Sequence, residues 1–245
     1  NASEAPGAVD VTDVTVAYKD QLGGSASVSF DKLSFKDNGD GTVTVTMPDS
    51  YPIQMAFPDK GDGPGSIKLT VSQPGAVIVA GGSATETSFQ ITAPATAIVL
   101  DELTDETGKV LDTKADLALT DLTGSYMMTK TGDVMGLDST FAAKAAVLNV
   151  SGSGSDGAGS GKVAVSFADL SGATKGNFLN PEMMANMALA LNSGFTMDSS
   201  LSFGAMTMDF DITEASGPTK LVANATGGGF VVAMNKDRLN YGTSL

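Results

Sequence analysis

A chain of 245 residues with 28 acidic against 14 basic side chains carries a net charge of −14. That balance disfavours nucleic acid and anionic lipid headgroups as partners, since both need clustered Lys and Arg. There is no histidine, cysteine or tryptophan, and Arg238 is the single arginine, which removes the physiological-pH acid/base, the thiol nucleophile and zinc sites built on Cys or His.

With 42% hydrophobic and 17% charged residues, the chain has the composition of a folded protein. It contains no run of about 18 apolar residues, so no transmembrane segment is expected. The lack of cysteine suits either a reducing compartment or a periplasm used without disulfides.

The dominant pattern is apolar/polar alternation with period two, which indicates antiparallel strands with one wet face. It opens with Val14, Val16 and Tyr18. Val28 and Phe30 then hold even positions while Leu33 and Phe35 hold odd ones, so a β-bulge is expected near Asp31-Lys32. Val43/Val45/Met47, Ile53/Met55/Phe57, Ile67/Leu69/Val71 and Phe89/Ile91 follow. Beyond them come Leu117/Leu119, Val163/Val165/Phe167, Leu201/Phe203, Met206/Met208/Phe210/Ile212 and Phe230/Val232/Met234. Gly-rich turn signals such as Asp37–Gly41, Lys60–Gly65 and Gly227–Gly229 punctuate them at the spacing of a hairpin meander. Ala76–Ala80, Ala97–Leu100, Ala145–Val150 and Phe230–Met234 are apolar on both parities, which predicts a second layer over part of the sheet.

One helix is expected over 181–192. Asn180 suits the N-cap, Pro181 the first helical position, and Gly194 the stop. The stretch 151–161 (SGSGSDGAGSG) reads as a flexible loop at a hairpin tip within one β-rich domain spanning 3–245. Asn1-Ala2 reads as a tag remnant. The fold class expected is all-β, mainly antiparallel: a long curved meander forming a sandwich or partial barrel, with one short helix.

No constellation carries catalysis. Ser29-Phe30-Asp31-Lys32 and Lys130-Thr131-Gly132 match two short motifs of serine β-lactamases. Strand parity sets Ser29 and Lys32 on opposite faces unless the bulge intervenes, and the serine lacks its helix. Asp37–Asp40 resembles a calcium loop but has Lys36 and Met47 where an EF-hand needs acids, so a solvated turn is the reading. Asp101-Glu102 and Asp105-Glu106 read as a charged loop. No cofactor, metal or catalytic residue is expected. The twelve methionines concentrate in the second half. Flexible thioethers fill cores and also suit surfaces that fit varied apolar ligands. An apolar groove bounded by Met183, Met184, Met187, Leu191, Met206 and Met208 is the candidate ligand site.

Three stretches resemble a family of secreted, β-rich alphaproteobacterial proteins, the domain-of-unknown-function family 2125. They are Phe30–Phe35 running into Asn38–Pro48, the Met-rich helix into Ser193–Thr196, and Glu214–Pro218 through Val232–Lys236. The resemblance implies a periplasmic address and a longer natural chain, with Leu245 an artificial end. It implies no activity. The expectation is therefore a periplasmic, non-enzymatic domain binding an apolar, lipid-like ligand or an envelope protein. The alternative is a structural scaffold whose strands pair with a missing C-terminal half.

Overall fold

A computed structural model describes residues 2–20, 23–57, 64–132, 134–154, 159–179, 183, 186–214 and 216–244. Among the described residues sixteen strands form one antiparallel sheet. In chain order these are β1 (Ala2–Ala5), β2 (Ala8–Lys19), β3 (Ser25–Asp37), β4 (Thr42–Thr46), β5 (Ser50–Ala56), β6 (Pro64–Ser72), β7 (Val77–Gly82) and β8 (Glu86–Asp105). They continue as β9 (Thr113–Thr131), β10 (Val134–Ser153), β11 (Ser160–Phe178), β12 (Thr196–Phe203), β13 (Ala205–Glu214), β14 (Gly217–Ala225), β15 (Gly228–Asn235) and β16 (Arg238–Ser244). A single described helix, α1 (Met187–Asn192), lies between β11 and β12. The antiparallel meander read from alternation is the observed class.

The apparent branches of this sheet are interrupted strands. β4 and β5 lie end to end on one edge of β3, and β6 and β7 on one edge of β8. β12 and β13 share an edge of β11, and β15 and β14 lie against them in the same order. Each such pair is one long strand with a break, so the chain is a plain up-and-down meander. The pairings β3–β4–β7–β8–β6–β5 close a partial ring around one of these breaks. Among the described residues the ring stays partial: β1 pairs with β2 and β16 with β15, and neither pairs with the other.

The breaks fall on one line across the sheet. Asp13 faces Asp31 without pairing, and so do Pro94 and Asp121, and Lys144 and Asp169. The same line passes Met47–Asp49, Gln73–Ala76, Gly204 and Thr226-Gly227, each of which separates two strands. Asp13, Asp121 and Asp169 have φ of 56°, 51° and 52°, in the left-handed region that Asp tolerates better than most side chains. At this line every long strand changes phase. In β9 the half-buried residues are Ala115, Leu117 and Leu119 before Asp121, then Leu122 and Met128 after it. In β11 they are Val163, Val165 and Phe167, then Leu170, Gly172 and Phe178. The slip at Asp31-Lys32 is the β3 instance of this crease. Because all strands slip together, the apolar side chains of both halves stay on one face of the sheet.

This face is open. The accessible surface is 14931 Å², against about 10,000 Å² for a compact protein of this mass. No large side chain among the described residues is fully buried. What is buried lies mainly along the crease and beside α1: Val71, Ala76, Ala93, Ala143 and Ala146, then Ala190 and Phe195. Small residues are required where the strands bend toward one another. The opposite, polar face carries cross-strand ion pairs such as Lys68–Glu102 at 2.8 Å and Lys220–Asp211 at 2.7 Å. It also carries hydroxyl pairs such as Thr15–Ser29 and Ser125–Thr140.

Three expectations are corrected. Among the described residues no second layer covers the polar face: Val99 and Val231, on the polar-face parity of their apolar runs, are 41% and 52% exposed. Those runs arise from Ala and Val standing on the wet face. The helix expected over 181–192 is not continuous: Met183 is helical, and after a break at Asn186 a second helical stretch, Met187–Asn192, is capped by Asn186, whose side chain accepts from Leu189 N at 3.1 Å. Residues 180–182 lie outside the described residues, while Gly194 follows the C-cap with φ of 100° as expected. The loop at 151–161 is shorter than read, since Ser151–Ser153 and Ser160-Gly161 are paired strand and Gly154 N donates to Gly159 O. Gly and Ser weaken a strand without preventing pairing inside a long hairpin.

Candidate apolar binding face

Direct register partners arrange the apolar face into rows running across the strands. On the β13 side of the crease one row reads Tyr51, Val71, Ile98, Leu117, Leu148, Val165, Met208 and Ala223. On the other side a row reads Val45, Ile78, Ile91, Gly124, Phe141, Gly172, Leu201 and Phe230. The two halves touch across the crease through Phe167 and Phe203, whose rings meet edge to face at 5.4 Å. Burial raises the Tyr51 pKa, and its ring lies 4.8 Å from Phe30. Toward β10–β15 the rows open to solvent. In the second row Phe141, Leu201 and Phe230 are 37%, 39% and 45% exposed, and in the first Leu148 is 39% exposed, which is unusual for large apolar side chains sharing one face.

The described members of the expected groove lie in two separate places. Met206 and Met208 lie on the apolar face, paired with Phe167 and Val165. Met187 is on α1 and exposed, Leu191 on α1 and half-buried, and Met183 half-buried just before it. Met184 lies outside the described residues. The helix sits at the far end of β11 and β12, so the whole of β12 and the crease separate it from Met206. That is roughly 30 Å of extended chain. A different methionine cluster adjoins α1. Met128, Leu137, Gly176, Met197, Met234 and Leu239 are successive register partners in a third row. Beside it the Phe178 and Phe195 rings meet edge to face at 5.7 Å. The clue in the sequence was parity: Met197 shares it with Leu201, and Met234 with Phe230.

The polar motifs are occupied by local bonds. The crease does bring Ser29 and Lys32 to the same wet face. There Ser29 bonds to Thr15, and Lys32 pairs with Asp10 at 2.8 Å, which together with Ser34 lowers the Asp10 pKa. Asp37 accepts from Gly39 N, and Asp40 accepts from the Thr42 hydroxyl and amide, which lowers the Asp40 pKa. Asp101 accepts from Thr70, and Glu102 pairs with Lys68. Asp105 accepts from Thr107 and from the Lys109 amide, and these bonds lower its pKa. No group of three or more acidic side chains is placed to hold a metal ion among the described residues. A depression of about 310 Å³ on the polar face is floored by the Lys175–Asp138 ion pair, with Asn177, Thr196 and Asp198 around it. It is shallow and wet. No described helix is long and apolar enough to cross a membrane.

Comparison with known proteins finds no matching family model, curated protein or solved structure.

Proposed function

We propose that this chain is a non-enzymatic periplasmic domain that holds an apolar, lipid-like ligand against the open face of its sheet. The observation carrying the reading is the exposure of Phe141, Leu201 and Phe230 along one apolar row and of Leu148 in the row across the crease. An acyl chain laid on these rows removes apolar surface from water at about 25 cal/mol per Å². The Met128–Met197–Met234 row supplies adaptable thioethers beside α1. The periplasmic address rests on the family resemblance alone. The net charge of −14 fits a ligand recognised by its tail rather than by an anionic headgroup.

Native mass spectrometry of gently purified protein, followed by organic extraction, tests this reading. A lipid adduct is expected near one per chain, and Leu148→Asp or Phe230→Asp removes it while leaving the far-UV spectrum intact. A clean apo mass, unchanged after incubation with envelope lipid extract, overturns the reading.

A further inference from the structure

We propose that the ligand of the open face is an uncharged ester lipid, its carbonyl groups seated on a band of hydroxyls that crosses the apolar rows. This rests on the lipid-holding reading above and narrows it to one chemical class. Tyr126, Ser139, Thr174 and Ser199 are successive register partners on β9, β10, β11 and β12. Their parity puts all four on the apolar face. The row holding Phe141 and Leu201 flanks them on one side, and the row holding Met128 and Met197 on the other. Each lies two residues away along the strands, about 7 Å. All four strands are interior to the sheet, with a paired neighbour on both sides. The opposite face is already wet, so solubility does not call for hydroxyls here. Ser139 Oγ donates to the Thr174 carbonyl at 3.3 Å, and the Thr174 and Ser199 hydroxyls share one hydrogen bond at 3.0 Å. These bonds leave one hydroxyl proton of that pair, and the phenol of the 43% exposed Tyr126, to donate to a ligand.

Charge decides between lipid classes. Away from the crease, the described charged residues on this face are Glu4, Asp37, Asp105, Lys130 and Glu214, each last or next to last in its strand. Lys130 is the one cation among them, and it stands two rows from Tyr126, about 13 Å along β9. A phosphate or carboxylate brought to the band is therefore desolvated without a cationic partner, which is strongly unfavourable, and the net charge of −14 repels it further. An ester is cheap to bury and its carbonyl oxygen accepts from the donors that the band leaves. Apolar rows on both sides of the hydroxyls fit a polar linkage with hydrocarbon on each side better than a polar head at one end of a tail. A few placed polar groups within apolar surroundings are the usual means by which such sites orient and select a ligand.

Three probes with identical tails test the proposal: a diacylglycerol, its dialkyl ether analogue, which lacks the carbonyls, and the corresponding phosphatidic acid. Delipidated protein is incubated with an equimolar mixture of the three, and bound lipid is read by native mass spectrometry. The diacylglycerol is expected to be retained about tenfold over either competitor. Tyr126→Phe and Thr174→Val keep the shape of the face and remove its donors. Each is expected to reduce the preference for ester over ether severalfold, with retention of the ether lipid and the far-UV spectrum unchanged. Phosphatidic acid retained as well as the diacylglycerol overturns the proposal and leaves the lipid-holding reading standing. So does an ester preference that is absent, or that survives in both variants. Retention of none of the three lipids overturns the proposal and that reading together.

Discussion

Phe141 lies with its ring over Gly172, its direct cross-strand partner on the apolar face. Phe203 covers Gly228 in the same way. Each ring shields a stretch of bare backbone, a device that rescues glycine within a sheet.

A methyl group at either glycine overlaps the ring, so Gly172→Ala and Gly228→Ala are expected to destabilise by about 1–3 kcal/mol. Gly161→Ala is the control. Its added carbon meets only Ile212 at an ordinary 3.7 Å, and that variant is expected to be neutral or slightly stabilising. Urea midpoints at constant slope check the ordering.

The crease makes its own prediction. Asp121 and Asp169 hold φ near 50° without being glycine. Asp121→Asn is expected to be nearly silent, because Asn visits this region as readily as Asp. Asp121→Val is expected to cost about 1–2 kcal/mol, since a β-branched side chain fits it poorly. At Asp169 the side chain lies over Gly204, so Asp169→Val adds a packing penalty that Asp121→Val lacks. Thermal unfolding of the three variants ranks them.

Thr96 Oγ1 is buried beside Leu119 with no hydrogen-bond partner among the described residues. An unsatisfied buried hydroxyl is unfavourable, so Thr96→Val, of the same shape, is expected to raise stability by about 1 kcal/mol. A lower unfolding midpoint for this variant contradicts the burial argument.

Hydrogen bonds from Thr42 and Thr107 hold the Asp40 and Asp105 carboxyls below the ordinary range. A carboxyl whose pKa is lower folded than unfolded stabilises the fold above its unfolded value, and that contribution fades as pH falls through the folded one. Both turns are therefore expected to keep their hydrogen bonds down through the ordinary Asp range and to lose them only as pH falls below it. Carboxyl carbon shifts followed by NMR read each titration, and Thr107→Val is expected to move the Asp105 midpoint upward.

Much of the sheet was legible in the sequence, because period-two alternation and Gly-Asp turns are local signals. The phase slip was legible once, at Asp31-Lys32. Its recurrence was not, because Leu117/Leu119 and Leu122 read separately show no relation to Val163–Phe167 and Leu170 until register aligns them. The break at Asn186 was not legible, because Asn180-Pro181 and Asn186 are both good caps and nothing local says that the second interrupts the helix. The candidate groove joined Met187 to Met206 on composition, whereas the strand between them, Thr196–Phe203, keeps them apart. Residues that share a row lie tens of positions apart in sequence, and only pairing reveals them.

The crease also governs which changes of length this chain can accept. Each half-strand owes its orientation to a one-residue offset at the line, so deleting Asp121 alone turns Leu122 and Met128 outward and Thr123 and Met127 inward. No single replacement along β9 does as much. Two strands and their turn, added or removed together, leave every remaining offset where it was. Each strand contacts chiefly its immediate neighbours, as repeats do in quasi-one-dimensional folds, so the sheet can change in length by whole hairpins.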